Sequence, residues 1–224
     1  MIPLRDIIPS RATPCITVSI VILNAAAWLF ELELPRQALP AFLQTYGVVS
    51  ADFRAPALVT SMFLHASWLH VIGNMWSLWI FGDNVEARLG RPGFLTFYLL
   101  CGIVASLGQV AMDPTSTRPA IGASGAIAGV MGAYVVLYPR SRVLTLVPLV
   151  VFWEIVEVPA VILLGCWVVI QVISAGAIAV TAGAASAGIA LMAPAAGFVA
   201  GIVGVLAFRL RRRSTQYWAG SENR

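Results

Sequence analysis

Lysine is absent from this chain, and only two histidines occur, with none after His70. Charged residues make up 11% of the 224 residues, whereas hydrophobic residues make up 59%. An ordinary soluble domain carries about 25% charged residues, so this composition excludes that class of protein. The three cysteines, Cys15, Cys101 and Cys166, are odd in number and fall within or beside apolar segments. We therefore expect no disulfide framework, no metal site and no cofactor.

Long uncharged runs predict an integral membrane protein with an all-α, polytopic fold. A spanning helix needs about 20 apolar residues. Runs of this kind predict six helices, at about 13–31, 60–82, 93–112, 123–138, 159–180 and 188–209, with the last two joined through the small residues 181–188. The first helix is expected to remain in the mature protein. The apolar segment 143–153 is too short to cross, so it is predicted to lie at the interface with no conformation assigned.

The link 83–93 is predicted to be a cytoplasmic loop between the second and third helices. Asp83 or Asn84 is the expected helix cap there, because short polar side chains accept hydrogen bonds from free backbone N–H groups. Glu86 and Arg88 are expected to be solvated nearby. The whole of residues 1–224 is predicted to form a single membrane domain.

The arginines predict the orientation, since cytoplasmic loops are enriched in positive charge. With both termini inside, only Arg36, Arg54 and Arg118 face outward. The other eleven are then cytoplasmic: Arg5, Arg11, Arg88, Arg91, Arg140, Arg142, Arg209, Arg211, Arg212, Arg213 and Arg224. The basic tail 209–224 is interpreted as a topological anchor near anionic lipid, in preference to a nucleic-acid site.

Polar residues inside the predicted spans are the candidates for a functional site, because they are costly in hydrocarbon. His70 and Asn74 are four residues apart and therefore share one face of the second helix. This pair is typical either of interhelical packing or of a functional site. His65 lies nearer the outer end, where a water-facing or structural role is favoured.

Ser124 begins the fourth predicted helix, where unpaired backbone N–H groups and the helix dipole favour an anion. Gly125, Gly129 and Gly132 follow at helical spacing, and Gly197 and Gly201 offer a complementary small face in the sixth helix. Such faces allow close backbone approach, so the fourth and sixth helices are predicted to touch. Taken alone, a serine in a glycine-rich helix is more often a packing residue than a nucleophile.

Several stretches, in this order, carry a resemblance to a known family. They are Thr60 to His65, His70 to Met75, Phe81 to Glu86 with Arg88-Leu89-Gly90, Gly122 to Gly129, and Gly197 to Gly201. From about residue 55 to residue 201 the chain resembles the rhomboid intramembrane serine proteases. The resemblance implies a six-helix, rhomboid-like core at 55–208, with transmembrane proteins and the lipid bilayer as partners. It also suggests a bacterial cytoplasmic membrane as the location.

The resemblance implies that Ser124 is the nucleophile, and that its backbone N–H, His70 and Asn74 form the oxyanion hole. The family takes its base from a histidine in the sixth helix, in the order Ala-His, two residues, then Gly-Phe. Here the order is Ala193-Pro194, two residues, then Gly197-Phe198. Pro194 stands where the base belongs, and proline cannot accept a proton.

Three functions remain open from the sequence. The favoured one is a pseudoprotease that engages transmembrane helices of client proteins, with hydrolysis lost or very weak because the serine has no base. The second is an active intramembrane endopeptidase that uses Ser124 with an unconventional base, for which His70 is the candidate. The third is a small transporter or a purely structural membrane protein. Clients and oligomeric state are not predicted.

Overall fold

The computed structural model describes residues 1–9, 13–148, 153–182 and 192–208. The basic tail 209–224, Arg11 and most of the predicted joint 181–188 lie outside the described residues. The helices are α1 Cys15–Glu33, α2 Leu39–Tyr46, α3 Ala57–Thr60, α4 Trp68–Leu89, α5 Arg91–Met112, α6 Ser124–Leu137, α7 Ala160–Ala182 and α8 Met192–Phe208. The strands are β1 Ile2–Asp6, β2 Arg142–Pro148 and β3 Trp153–Pro159.

A helix occupies most of each of the six segments predicted to be spans, namely α1 and α4 to α8, although α6 has only 14 residues. Within the described residues, Cys15–Glu33 and Arg91–Met112 are long and apolar enough to cross a membrane. The count of six spans stays a prediction. Large apolar side chains on the bundle surface are exposed, among them Leu69 at 83%, Ile173 at 65% and Ile170 at 59%. A surface of this kind suits contact with lipid.

A small antiparallel sheet, in the order β1-β2-β3, accompanies the helical bundle. The expectation of an entirely helical fold is therefore incomplete, because segment 143–153 forms most of β2 and the first residue of β3. Buried and more exposed side chains alternate along β2, which is typical of a strand. Val143 and Thr145 are fully buried, whereas Arg142 is exposed. Ile2 of β1 pairs with Leu146 of β2, across more than half of the chain. No local pattern reveals such a partner.

Hydrogen bonds to α4 and α6 hold β1 in place. The Tyr134 hydroxyl donates to Asp6 Oδ2 over 2.8 Å, and the Asn84 amide donates to the same oxygen. The Trp76 indole N–H donates to the Pro3 carbonyl over 2.6 Å. Burial raises the pKa of Asp6 to about 6, the neighbouring carboxylate of Asp83 adds to the rise, and the Tyr134 hydrogen bond opposes it.

The predicted cytoplasmic link is mostly helix. α4 runs through Asp83, Asn84 and Glu86 to Leu89, and Gly90, with φ of 77°, alone separates it from α5. The cap assigned to Asp83 or Asn84 is therefore wrong. α4 instead begins after Ser67, whose hydroxyl accepts from the His70 N–H over 3.2 Å. This start lies eight residues later than the sequence predicts.

Glu86 is buried rather than solvated, with only 3% of its surface exposed. Its carboxylate accepts from the Ile16 N–H at 3.0 Å, from the Thr17 N–H at 2.8 Å and from the Thr17 hydroxyl at 2.8 Å. Pro14 supplies no side-chain cap for α1, so Glu86 satisfies the donors at the start of α1 from another helix. α4 continues through Glu86 because three hydrogen bonds compensate for the burial of its carboxylate.

We expect Glu86→Ala to lower the free energy of unfolding by about 3 kcal/mol, since it leaves buried N–H donors without an acceptor. Equilibrium unfolding in detergent micelles measures the change. The matched control is Glu157→Ala, which removes a carboxylate about half exposed and 3.5 Å from Arg142. An exposed pair contributes less than about 1 kcal/mol. Equal losses in the two variants would contradict the capping role.

The raised pKa of Asp6 predicts a pH-dependent stability. Because the folded protein favours the protonated acid, this contribution to stability is full below about pH 4 and is lost as the pH rises through about 6. Thermal unfolding between pH 4 and pH 7.5 should therefore show a decline in the unmodified chain. In Asp6→Asn, which stays neutral, that part of the decline should vanish. Parallel curves would show that Asp6 is not responsible.

Candidate active site

A cavity of about 650 Å³ opens between α4, α5, α6, α7 and α8. Each of the four residues singled out by the sequence lines it: His70, Asn74, Ser124 and Pro194. They come from three helices and span more than half of the chain. The structure thus brings the predicted site residues together in one place.

Ser124 is the first residue of α6, as the sequence predicts. The first N–H groups of a helix have no acceptor within it, so those beside Ser124 are free to bind an oxyanion. Gly122 sets the turn before the helix with φ of 119°, a conformation suited to glycine. Its N–H donates to the Ser61 carbonyl over 2.9 Å, which fixes the turn against the segment before α4.

The His70 ring lies directly against this turn. A Cβ atom placed on Gly122 would come within 2.7 Å of His70 Nε2, so only glycine leaves room for the ring. Asn74 lies one helical turn further along α4 and is 8% exposed. The side chains of His70 and Asn74 therefore border the cavity beside the start of α6. Their role as donors to an oxyanion stays a prediction.

His65 contacts both His70 and Asn74. It is 2% exposed, so the water-facing role considered for it is wrong and the structural role fits. Its Nε2 lies 3.1 Å from the Asn74 amide nitrogen, and its ring centre is 5.1 Å from that of His70. The His65 N–H donates to the Glu31 carboxylate at 3.2 and 3.4 Å. Glu31 was not identified from the sequence, because its partner is the backbone N–H of a residue that is distant in the chain.

Glycines bring α8 against α6, as predicted. A Cβ atom on Gly197 would overlap the Gly125 carbonyl, and one on Gly201 would overlap the Gly129 carbonyl. The two backbones are therefore in direct contact. Pro194 lies one turn before Gly197 and is buried at the cavity wall. The contact thus carries position 194 to the same cavity as Ser124.

The remaining polar residues of the cavity were not singled out by the sequence interpretation. They are Ser77 on α4, Gln109 on α5 and Gln171 on α7. The signal was present, since an amide side chain within an apolar span is costly unless it faces the protein interior. Among the described residues that line the cavity, His70 is the one with an ionisable side chain. The wall therefore offers hydrogen bonds and almost no charge.

The family model for the Rhomboid domain matches residues 53–212. The chain belongs to the rhomboid family. The YdcA protein of Bacillus subtilis (strain 168) is 33% identical over 127 residues, which cover 55% of this chain and 62% of YdcA. Rhomboid-like protein 11, chloroplastic, of Arabidopsis thaliana is 31% identical over 68% of this chain and 51% of its own length. Rhomboid protease GluP of Bacillus subtilis (strain 168) is 39% identical over 39% of this chain and 17% of its own length.

The chain thus spans less than two thirds of the length of these curated rhomboid relatives. Rhomboid proteins are integral membrane proteins that act on membrane-protein substrates within the bilayer. The relatives include bacterial and chloroplast proteins, so the family leaves the particular membrane open.

The α6–α8 contact of this rhomboid chain predicts that substitution by alanine destabilises the fold at Gly201 and not at Gly165. Gly201→Ala should destabilise the fold by roughly 2 kcal/mol, because the added methyl group has to displace the Gly129 backbone. Gly165→Ala on α7 is the matched control, since its Cβ meets nothing within 4 Å. The control should be neutral or slightly stabilising. Equilibrium unfolding in micelles compares them, and equal effects would argue against a tight backbone contact.

Proposed function

We propose that this rhomboid-family chain binds transmembrane helices of client membrane proteins and hydrolyses peptide bonds very slowly or not at all. The observation that carries the proposal is Pro194 at the wall of the cavity that contains Ser124. By the family resemblance this position belongs to the base. The site would then retain its nucleophile and its oxyanion donors but lack the group that activates the nucleophile.

The chemical argument rests on proton transfer. A serine hydroxyl is a weak nucleophile until a base removes its proton. Proline has no group that titrates, and no histidine follows His70 in the sequence. A serine hydrolase without a working base keeps about 10³ to 10⁴-fold acceleration over water, from its oxyanion hole and substrate binding. Ser124 with the helix N–H groups, His70 and Asn74 would supply acceleration of that order at most.

Client binding is supported by the composition of the cavity wall. Gln109 and Gln171 can donate to and accept from a peptide backbone, as can the free N–H groups at the start of α6. Leu69, Ile127 and Trp167 give the same cavity apolar surface. A segment that leaves its helix inside a membrane needs such partners, because unsatisfied backbone groups there are costly. We propose this cavity as the place where a client helix is locally unwound.

Topology forms part of the same proposal. Six spans with both termini in the cytoplasm would place Ser124 toward the outer side and the arginine-rich ends inside, as the charge bias predicts. A bacterial cytoplasmic membrane suits this arrangement.

An active endopeptidase is the second candidate. It is favoured by one observation: His70, the sole ionisable residue among the described lining residues, shares the cavity with Ser124. An imidazole can serve as a general base near neutral pH. In that role His70 would no longer donate to the oxyanion, so the rate would still be low.

Restoring the imidazole separates the two candidates. We expect Pro194→His to cleave a reconstituted single-span model substrate, while the unmodified chain and Pro194→Ala leave it intact. The Ala variant removes the proline without adding a base and is therefore the matched control. Adding Ser124→Ala to Pro194→His should abolish cleavage. Gel analysis of the products measures each rate in the same proteoliposomes.

Cleavage by the unmodified chain that Ser124→Ala abolishes would overturn the pseudoprotease proposal. Client binding is tested separately, by crosslinking the unmodified chain to the same model substrate. A bulky Gly73→Trp variant, which fills the cavity from α4 where a Cβ meets nothing within 4 Å, should reduce that crosslinking. Undiminished crosslinking in this variant would contradict the proposal that client helices bind in this cavity.

A further inference from the structure

A second recess lies at the end of the bundle opposite Ser124. Two adjoining hollows of about 390 and 860 Å³ share four lining residues, Ile8, Pro9, Leu137 and Tyr138. Leu137 is the last residue of α6, whereas Ser124 is its first. The recess is therefore separate from the candidate active site by the length of that helix.

Two arginines flank the recess. Arg88 lines the smaller hollow and Arg140 lines the larger one, and both are exposed. Neither forms a salt bridge with any residue in the described part of the chain. The described lining of both hollows contains no Asp or Glu. The recess is thus a positively charged concavity whose charge has no partner among these residues.

Asp6 and Asp83 form no salt bridge with Arg88 or Arg140 within the described part of the chain. Asp6 and Asp83 both accept hydrogen bonds from the Asn84 amide, and neither carboxylate lines the recess. Asn84 itself lines the smaller hollow and donates to both acids.

The rest of the wall is apolar. Ile7, Ile8, Leu137 and Pro139 line the hollows, and 46% of the Ile7 surface is exposed. Arg88 is one residue from the end of α4, and Arg140 follows the end of α6 by three residues. Cations at the ends of membrane helices lie at the level of the lipid headgroups. The recess therefore combines two unpaired cations with a hydrocarbon-compatible wall at that level.

We propose that this recess binds the phosphodiester headgroup of an anionic phospholipid, with Arg88 and Arg140 on the phosphate and an acyl chain along Ile7 and Leu137. The planar guanidinium group matches phosphate oxygens with two parallel hydrogen bonds. Anionic lipids are concentrated on the cytoplasmic side, which is where the arginine bias places this end of the bundle. The apolar wall favours a lipid over a free phosphate, which would leave that wall in water.

Lipid binding to the purified full-length chain tests the proposal. Native mass spectrometry of the delipidated protein titrated with phosphatidylglycerol should show a first lipid that binds more tightly than phosphatidylcholine. Arg88→Gln and Arg140→Gln should each weaken that first binding step by about tenfold, the effect of losing one charge-assisted hydrogen bond. Arg118→Gln is the matched control, because it removes the same charge from an exposed arginine in the loop between α5 and α6.

Three results would overturn the proposal. One is equal binding of the two lipids by the unmodified chain. Another is an equal loss in Arg118→Gln, which would indicate general charge attraction. The third is displacement of phosphatidylglycerol by excess inorganic phosphate, which would identify a free-anion site. Arg88→Lys and Arg140→Lys keep the charge without the planar fork and should bind with intermediate affinity, so that a folding defect in the Gln variants cannot imitate the result.

Discussion

The direct backbone contact between α6 and α8 is the constraint on which the site depends. At Gly197 and Gly201 no side-chain atom separates the two helices, and the carbonyls of Gly125 and Gly129 occupy the space that a Cβ would need. Residue 194 is carried to the cavity that holds Ser124 because this contact lies one turn beyond it. A scaffold built in this way places residue 194 at the wall of the cavity that Ser124 also lines, whatever its side chain.

Buried carboxylates tie α1 to the segment around α4 at both ends. Glu86 of α4 binds the first N–H groups of α1, and Glu31 near the end of α1 binds the backbone of His65. The second of these ties reaches the site, since His65 contacts both Asn74 and His70. The donors of the cavity thus depend on a helix that contributes no residue to its lining.

The residues that the sequence singles out for the site line one cavity, whereas the roles assigned to them stay predictions. His70 and Asn74 were identified because polar side chains within an apolar span are costly unless they face the protein interior. Ser124 and Pro194 were assigned their places from the order of residues in the rhomboid resemblance. The ends of α4 and the burial of Glu86 were missed, because they depend on partners from other helices. The sheet was missed for the same reason, since β2 pairs with β1, which is distant in the sequence. Contacts between residues that are distant in the sequence produce no periodic pattern in the sequence.

The pairing of β1 with β2 has a consequence for assembly. Ribosomal synthesis delivers Ile2 long before Leu146, so the amino-terminal strand has no partner until α1 and α4 to α6 have emerged. Closing so long a loop is slow relative to local helix formation. Insertion of α1 and α4 to α6 can therefore precede the pairing of β1 with β2, so that the sheet would form after these helices.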